Sequence, residues 1–182
     1  LLINQDSVYE DRRYFYHLDY TPHTTSDSTF LGEKQWAWLD QELQKPADVR
    51  IIGSSTQFGI EYNGYEAWVN YPHEQKRFLD LIKKNKASGV LFISGDVHYA
   101  EISKMNVPDL YPIYDITSSG LSSTWKFATP NVNRIEGPIM DNHFGLLTID
   151  LQNKNPQIKS EIWDVSGNQR VEFTIPLSEI TF

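Results

Sequence analysis

The segment of this chain best equipped for chemistry is Ser94-Gly95-Asp96-Val97-His98-Tyr99-Ala100-Glu101. It directly follows Val90-Leu91-Phe92-Ile93, an apolar run that predicts a buried strand. Residues two apart on an extended backbone point to the same side, so Asp96 and His98 can converge on one centre while Val97 faces away. Gly95 permits a tight turn before them. A carboxylate with an imidazole is a mixed oxygen and nitrogen donor pair suited to a hard or borderline metal ion, and ligands sit at the carboxyl ends of strands in α/β sheets. The same tetrapeptide also has a structural reading, in which Asp96 caps a turn and His98 is a half-buried strand-end residue satisfied by a backbone carbonyl. On these residues alone both readings stand.

Four further residues could reach such a site. Gln57 follows Ser54-Ser55 at the end of the strand expected before the Asp96 strand, where its amide can meet phosphate or a metal ligand, or else stabilise the turn. Glu66 and Trp68 lie in an aromatic loop that a strand–helix–strand crossover brings to the same sheet edge, either shaping a substrate pocket or closing a minor core. His143, in Asp141-Asn142-His143-Phe144-Gly145, can touch substrate or act as a strand-cap histidine beside a core phenylalanine. Ser54-Ser55 and Ser118-Ser119 lack a Gly-x-Ser-x-Gly elbow and do not read as nucleophiles. His17, His23 and His73 have no second ligand at metal spacing and read as surface residues, and Lys83, Lys84 and Lys86 as a solvated helix end.

The elements that must position these residues are legible in part. Tyr14 to Leu18 is β-prone and stops at a turn-rich stretch from Asp19 to Ser28. Trp36, Leu39 and Leu43 repeat at helical spacing in Glu33 to Gln44, and Pro46 prevents continuation. Val49 to Ile52 predicts a short buried strand, and Gly59 to Asn70 an ordered loop with no clean period. Pro72 suits the first turn of a second helix running to about Asn85, with Phe78, Leu79 and Ile82 inward and lysines at its end. Strand, helix and the Val90–Ser94 strand then make a right-handed parallel crossover. Leu110 to Ile116 reads as another strand and Ser118 to Pro138 as a long polar loop. Phe144 to Leu151, Gln157 to Trp163 and Arg170 to Ile175 alternate apolar and polar residues between turn clusters, as an antiparallel meander does. The pattern is α/β first and β-rich last, with no repeat and no linker, so residues 1–182 are expected to form one domain.

Composition narrows the function classes. The 182 residues carry 16 basic and 24 acidic side chains, a net charge of −8, which disfavours nucleic-acid binding and docking on anionic membranes while suiting cations. With no cysteine, disulfides, thiolate metal sites and cysteine nucleophiles are excluded, so any metal must be held by oxygen and imidazole nitrogen. No run approaches the roughly 18 apolar residues of a transmembrane helix. No Gly-x-Gly-x-x-Gly or phosphate-binding loop supports the weaker alternative of a Rossmann-like sugar or nucleotide binder.

Beyond the Gly-Asp-x-His turn, several segments in order resemble the PhoD-like alkaline phosphatases, metallophosphatases of the calcineurin-like superfamily. They are Leu31-Gly32-Glu33-Lys34-Gln35-Trp36-Ala37-Trp38-Leu39, Gly53 to Phe58, Glu66-Ala67-Trp68 with Tyr71-Pro72, Leu91 to Glu101, Tyr114 to Leu121, His143-Phe144-Gly145 and Ile175-Pro176-Leu177-Ser178. The most specific are the L-G-x-x-Q-W-x-W-L helix and the S-G-D-V-H turn.

The resemblance implies a four-layer α/β/β/α sandwich and hydrolysis of phosphate monoesters or diesters by a water activated between two metal ions, a transition metal such as iron with calcium. By this match Asp96 holds the second metal and His98 the first, and a secreted or periplasmic location follows by resemblance. The family's remaining ligands, two aspartates and an asparagine, lie before the region where this chain begins, and nothing in residues 1 to 30 substitutes for them. The chain, which starts at Leu1 rather than Met, is therefore expected to be the C-terminal half of a larger metallophosphatase domain. Alone it should be inactive or bind metal weakly, with its absent N-terminal half as partner and an exposed apolar face or strand edge where that half packs. The alternative is a catalytically inactive relative serving as a binding or structural module.

Overall fold

The structure, a computed structural model, describes residues 22–23, 25–61 and 65–182; the strand expected at Tyr14 to Leu18 lies outside them. Helix α1 (Glu33–Leu43) buries Trp36, Leu39 and Leu43, the face its periodicity predicts. Helix α2 (Pro72–Asn85) starts on its proline, buries Phe78 and Ile82, and ends at Lys86, whose left-handed backbone (φ 46°) closes the last turn. Glu74, in its first turn, is buried and accepts hydrogen bonds from the Phe30 and Leu31 N–H groups and from Trp36 Nε1, which ties the approach to α1 onto α2.

Strands β1 (Arg50–Gly53), β2 (Val90–Ser94), β3 (Ala100–Met105), β4 (Ile113–Ser118) and β5 (Arg134–Ile139) form one mixed sheet in the order β1-β2-β4-β3-β5. β1 and β4 both run parallel to β2, while β3 runs antiparallel to β4 and β5. Strands β6 (His143–Asp150), β7 (Gln157–Asp164) and β8 (Gln169–Pro176) make the expected antiparallel meander. Two expectations need correction, and one strand was not anticipated. Ala100–Met105 is a strand, the strand placed at Leu110 to Ile116 is shifted to Ile113–Ser118, and the segment read as a loop to Pro138 contains most of β5. The ordered loop before α2 includes a 3₁₀ turn at Trp68–Asn70.

Three layers result. The helices pack on one face of the mixed sheet through an aromatic cluster in which Phe58 stacks on Phe92 (3.9 Å) and both lie against Phe78. On the other face, Tyr114 of β4 meets Phe173 of β8, and β6 touches β4, so the meander forms the third layer. That side is incompletely covered: Ile51, Ile93, Leu121, Phe144 and Leu146 are each about 40–70% exposed, and Phe144 is thus not the core residue its sequence suggests. Among the described residues β1 is a sheet edge paired only to β2.

Candidate active site

The site grows from the C-terminal end of β2. Ser94 is the last strand residue, and the chain then bends through Gly95, Asp96, Val97, His98 and Tyr99 before β3 begins at Ala100. The backbone is not the extended one expected. Asp96 (φ 77°) and His98 (φ 56°) are both left-handed, a conformation costing an L-residue about 1–2 kcal/mol. The outcome for the side chains is nevertheless the alternation the spacing predicts: Asp96 is exposed, Val97 fully buried and His98 half-buried. Partial desolvation by the turn pushes the Asp96 carboxyl above its usual range, the negative charge of nearby Glu66 pushes it further, and His98 pulls it back. Asp96, Glu66 and His98 thus share one neighbourhood.

The segment after β4 grips His98 from several directions. The His98 N–H donates to Ser119 Oγ (3.0 Å), the Trp125 N–H donates to the His98 carbonyl (3.2 Å), and His98 Nδ1 lies 3.3 Å from the Ser123 carbonyl. The imidazole also stacks on the Trp125 indole, centroids 5.5 Å apart and planes 12° apart. Neither Ser119 nor Trp125 carried a sequence signal for this role.

Three residues weighed as substrate contacts have buried side chains, although His143 also lines the cavity at the strand ends. Gln57 is fully buried; its amide donates to Glu101 Oε1 (2.8 Å) and Thr117 Oγ1 (3.1 Å), while its Oε1 accepts no hydrogen bond among the described residues. Trp68 is 3% exposed within the aromatic core, with Nε1 donating to Ser54 Oγ. His143 has no exposed surface, and both ring nitrogens are engaged. The Gly120 N–H donates to Nε2 (3.0 Å), which leaves the proton on Nδ1 to bond the Asp141 carbonyl (2.7 Å). Burial holds this imidazole below the usual range and so neutral.

Beneath the turn lies a polar layer that sequence reasoning missed. Register puts Ser94, Asp115, Thr117, Glu101 and Ser103 on the helix-facing side of the sheet. Ser94 Oγ bonds Asp115 Oδ1 (2.6 Å) and Thr117 Oγ1 (2.8 Å); Asp115 Oδ2 accepts from the Phe58 and Gly59 N–H groups. Glu101 is ion-paired to Arg134, both side chains being almost completely buried, and accepts from Asn131. The only available signal was polar residues at alternate positions of otherwise apolar strands.

Beside the turn, a cavity of about 650 Å³ opens at the C-terminal ends of β1, β2 and β4, between them and the start of β6. Gly53, Ser54, Ser55, Ser94 and Gly95 supply its polar wall, and Ile93, Leu121, Phe144 and Leu146 its apolar one. Among the described residues no three carboxylate or imidazole groups gather as a cation cage.

The PhoD-like phosphatase family profile matches residues 7–178. The chain belongs to the PhoD-like phosphatase family. It is a mixed α/β member whose family acts on phosphate esters and is metal-dependent in general. A solved structure of PhoD superposes with a TM-score of 0.55 at 16% identity, covering 85% of this chain and 38% of that one, so the chain spans well under half the length of that relative. At this identity the likeness speaks for the fold. No curated protein sequence is detectably similar to it. Among the described residues of this PhoD-like chain, no helix is long and apolar enough to cross a membrane.

Proposed function

We propose that this PhoD-like chain provides the Asp96–His98 part of a two-metal centre that hydrolyses phosphate esters. The observation that carries the reading is the left-handed turn that holds an exposed carboxylate and a half-buried imidazole beside a cavity at the sheet's C-terminal edge. Oxygen and imidazole donors fit a transition metal such as iron, with calcium as the second ion. Bound cations at such a site polarise the phosphoryl group and activate water.

This chain's own contribution is positioning. Asp96 and His98 act as ligands, Glu66 adds negative charge beside Asp96, Gln57 and Trp68 brace the walls from within, and His143 forms part of the cavity wall. The remaining ligands come from a preceding half of the same protein, because among the described residues no group of three carboxylates or imidazoles gathers to hold a metal ion. That half also completes the four-layer sandwich by covering Ile51, Ile93, Phe144 and Leu146, and the reading includes the family's extracytoplasmic location.

The test is the metal content of the intact protein and its hydrolysis of a chromogenic phosphodiester, against Asp96→Asn and His98→Ala. Each variant should lose about 10- to 100-fold or more in metal affinity or turnover. Unchanged turnover in both removes these residues from the centre, and an intact protein with neither metal nor turnover favours the inactive binding module.

A further inference from the structure

Trp125 lies in the polar stretch between β4 and β5, where nothing in its spacing suggests a part in the site, yet both its backbone and its indole contact His98. Its backbone N–H donates to the His98 carbonyl (3.2 Å) and its indole lies parallel to the imidazole. The same indole stacks on Phe127 (5.1 Å, 20°) and meets Tyr65 at 5.7 Å. An indole with three aromatic neighbours is unsuited to binding a planar substrate group, and its half-buried position fits a fixed wall better than a mobile lid.

We propose that Trp125 is a positioning residue that locks the ring of His98 in one orientation and one tautomer. The Ser123 carbonyl cannot donate, so the nitrogen facing it, Nδ1, carries the proton. Nε2, which has no hydrogen-bond partner among the described residues, is then the nitrogen that keeps its lone pair. A flipped ring would give up the Nδ1–H bond to the Ser123 carbonyl, and Trp125 holds the ring in the plane in which that bond forms, since a tilted ring would lose the parallel contact. Ser119 completes the grip by accepting the His98 N–H, which fixes the left-handed backbone from which the ring projects. The consequence for metal affinity rests on the proposed ligand role of His98, whereas the tautomer does not.

The experiment therefore reads the two separately. In the intact, metal-free protein with ¹⁵N-labelled histidines, at about pH 8.5, above the ordinary imidazole range, His98→Ala identifies the His98 ring signals. Wild type should show a single Nδ1–H tautomer, Trp125→Ala a mixture of tautomers, and Trp125→Phe, which keeps a ring for stacking, the single one again. Titration with Co²⁺ alone should show about tenfold weaker binding for Trp125→Ala and near-wild-type binding for Trp125→Phe. Should Trp125→Ala fold poorly, Ser119→Ala removes a grip on the same residue without opening the core, and it should also mix the tautomers. A single Nδ1–H tautomer retained in both alanine variants overturns the lock. If His98→Ala binds Co²⁺ as tightly as wild type, the ligand reading falls, and the tautomer data still decide the lock.

Discussion

Replacing Gly120 by alanine tests how the two sheets are joined next to the site. A Cβ at that position would lie 2.2 Å from His143 Cε1, 2.6 Å from Nδ1 and 3.1 Å from Nε2, against about 3.5–4 Å for relaxed carbon contacts. The imidazole cannot swing into solvent because it is completely buried and bonded at both nitrogens. Forcing it aside carries an overpacking cost of about 1–3 kcal/mol. It also breaks the Gly120 N–H···Nε2 bond, and a buried donor left unpaired costs about 1–3 kcal/mol more. Gly120→Ala should therefore destabilise by about 2–6 kcal/mol, a large part of the roughly 5–15 kcal/mol that holds a typical domain folded.

Urea unfolding of the intact protein measures this as a shift in midpoint at constant slope. The informative companion is Gly120→Ala combined with His143→Ala, which removes the ring that the new methyl strikes. The double variant should be more stable than additivity of the two single losses predicts, by about 1–3 kcal/mol. A Gly120→Ala loss below about 0.5 kcal/mol, or strict additivity, would refute the argument. Gly120 immediately follows Ser119, so the substitution should disturb His98 from a distance as well.

His143 gives the protein a pH-dependent component of stability. Its folded-state pKa is depressed, so the contribution is complete above the unfolded value of 6.5 and is lost as pH falls below it. The urea midpoint of wild type should drop between about pH 7 and pH 5 more steeply than that of His143→Asn, and parallel curves would exclude the effect. Arg134→Met leaves Glu101 as an uncompensated buried charge and should lower stability by about 3–5 kcal/mol. Thermal unfolding of that variant within about 1 kcal/mol of wild type would show that Glu101 finds other compensation in Gln57 and Asn131.

The segments that read correctly from sequence are those where one face is apolar and the other is not. Trp36, Leu39 and Leu43 mark α1 in this way, and the alternation of β6 to β8 marks the meander. β3 escaped because Glu101 and Ser103 are buried in it, paired to Gln57, Asn131 and Arg134, so that its pattern imitates a polar loop. β5 escaped because Gly137-Pro138 reads as a turn, although proline is tolerated on an edge strand such as this one. At the site, the two-residue spacing of Asp96 and His98 was legible, but the inward aim of Gln57 and His143 was not. Chain position can put a residue at a strand end, whereas only the register and the neighbouring loop decide which way its side chain turns.

The polar layer under the turn bears on why these residues sit where apolar ones would pack more simply. Replacing a buried ionic cluster by well-packed apolar side chains is often neutral or stabilising, so Glu101, Arg134 and Asp115 are weak candidates for net stability. What they supply is direction. Asp115 fixes the Phe58 and Gly59 backbone on one side and the Ser94 hydroxyl on the other, so the residue preceding Gly95 has one permitted orientation. From the opposite side Ser119, Ser123 and Trp125 hold His98. Two non-glycine residues in left-handed conformation persist only when their surroundings over-determine them, and here restraints arrive on both flanks of the turn. The strain therefore sits at the carboxylate and imidazole of the proposed metal centre, and the polar layer is its structural counterpart.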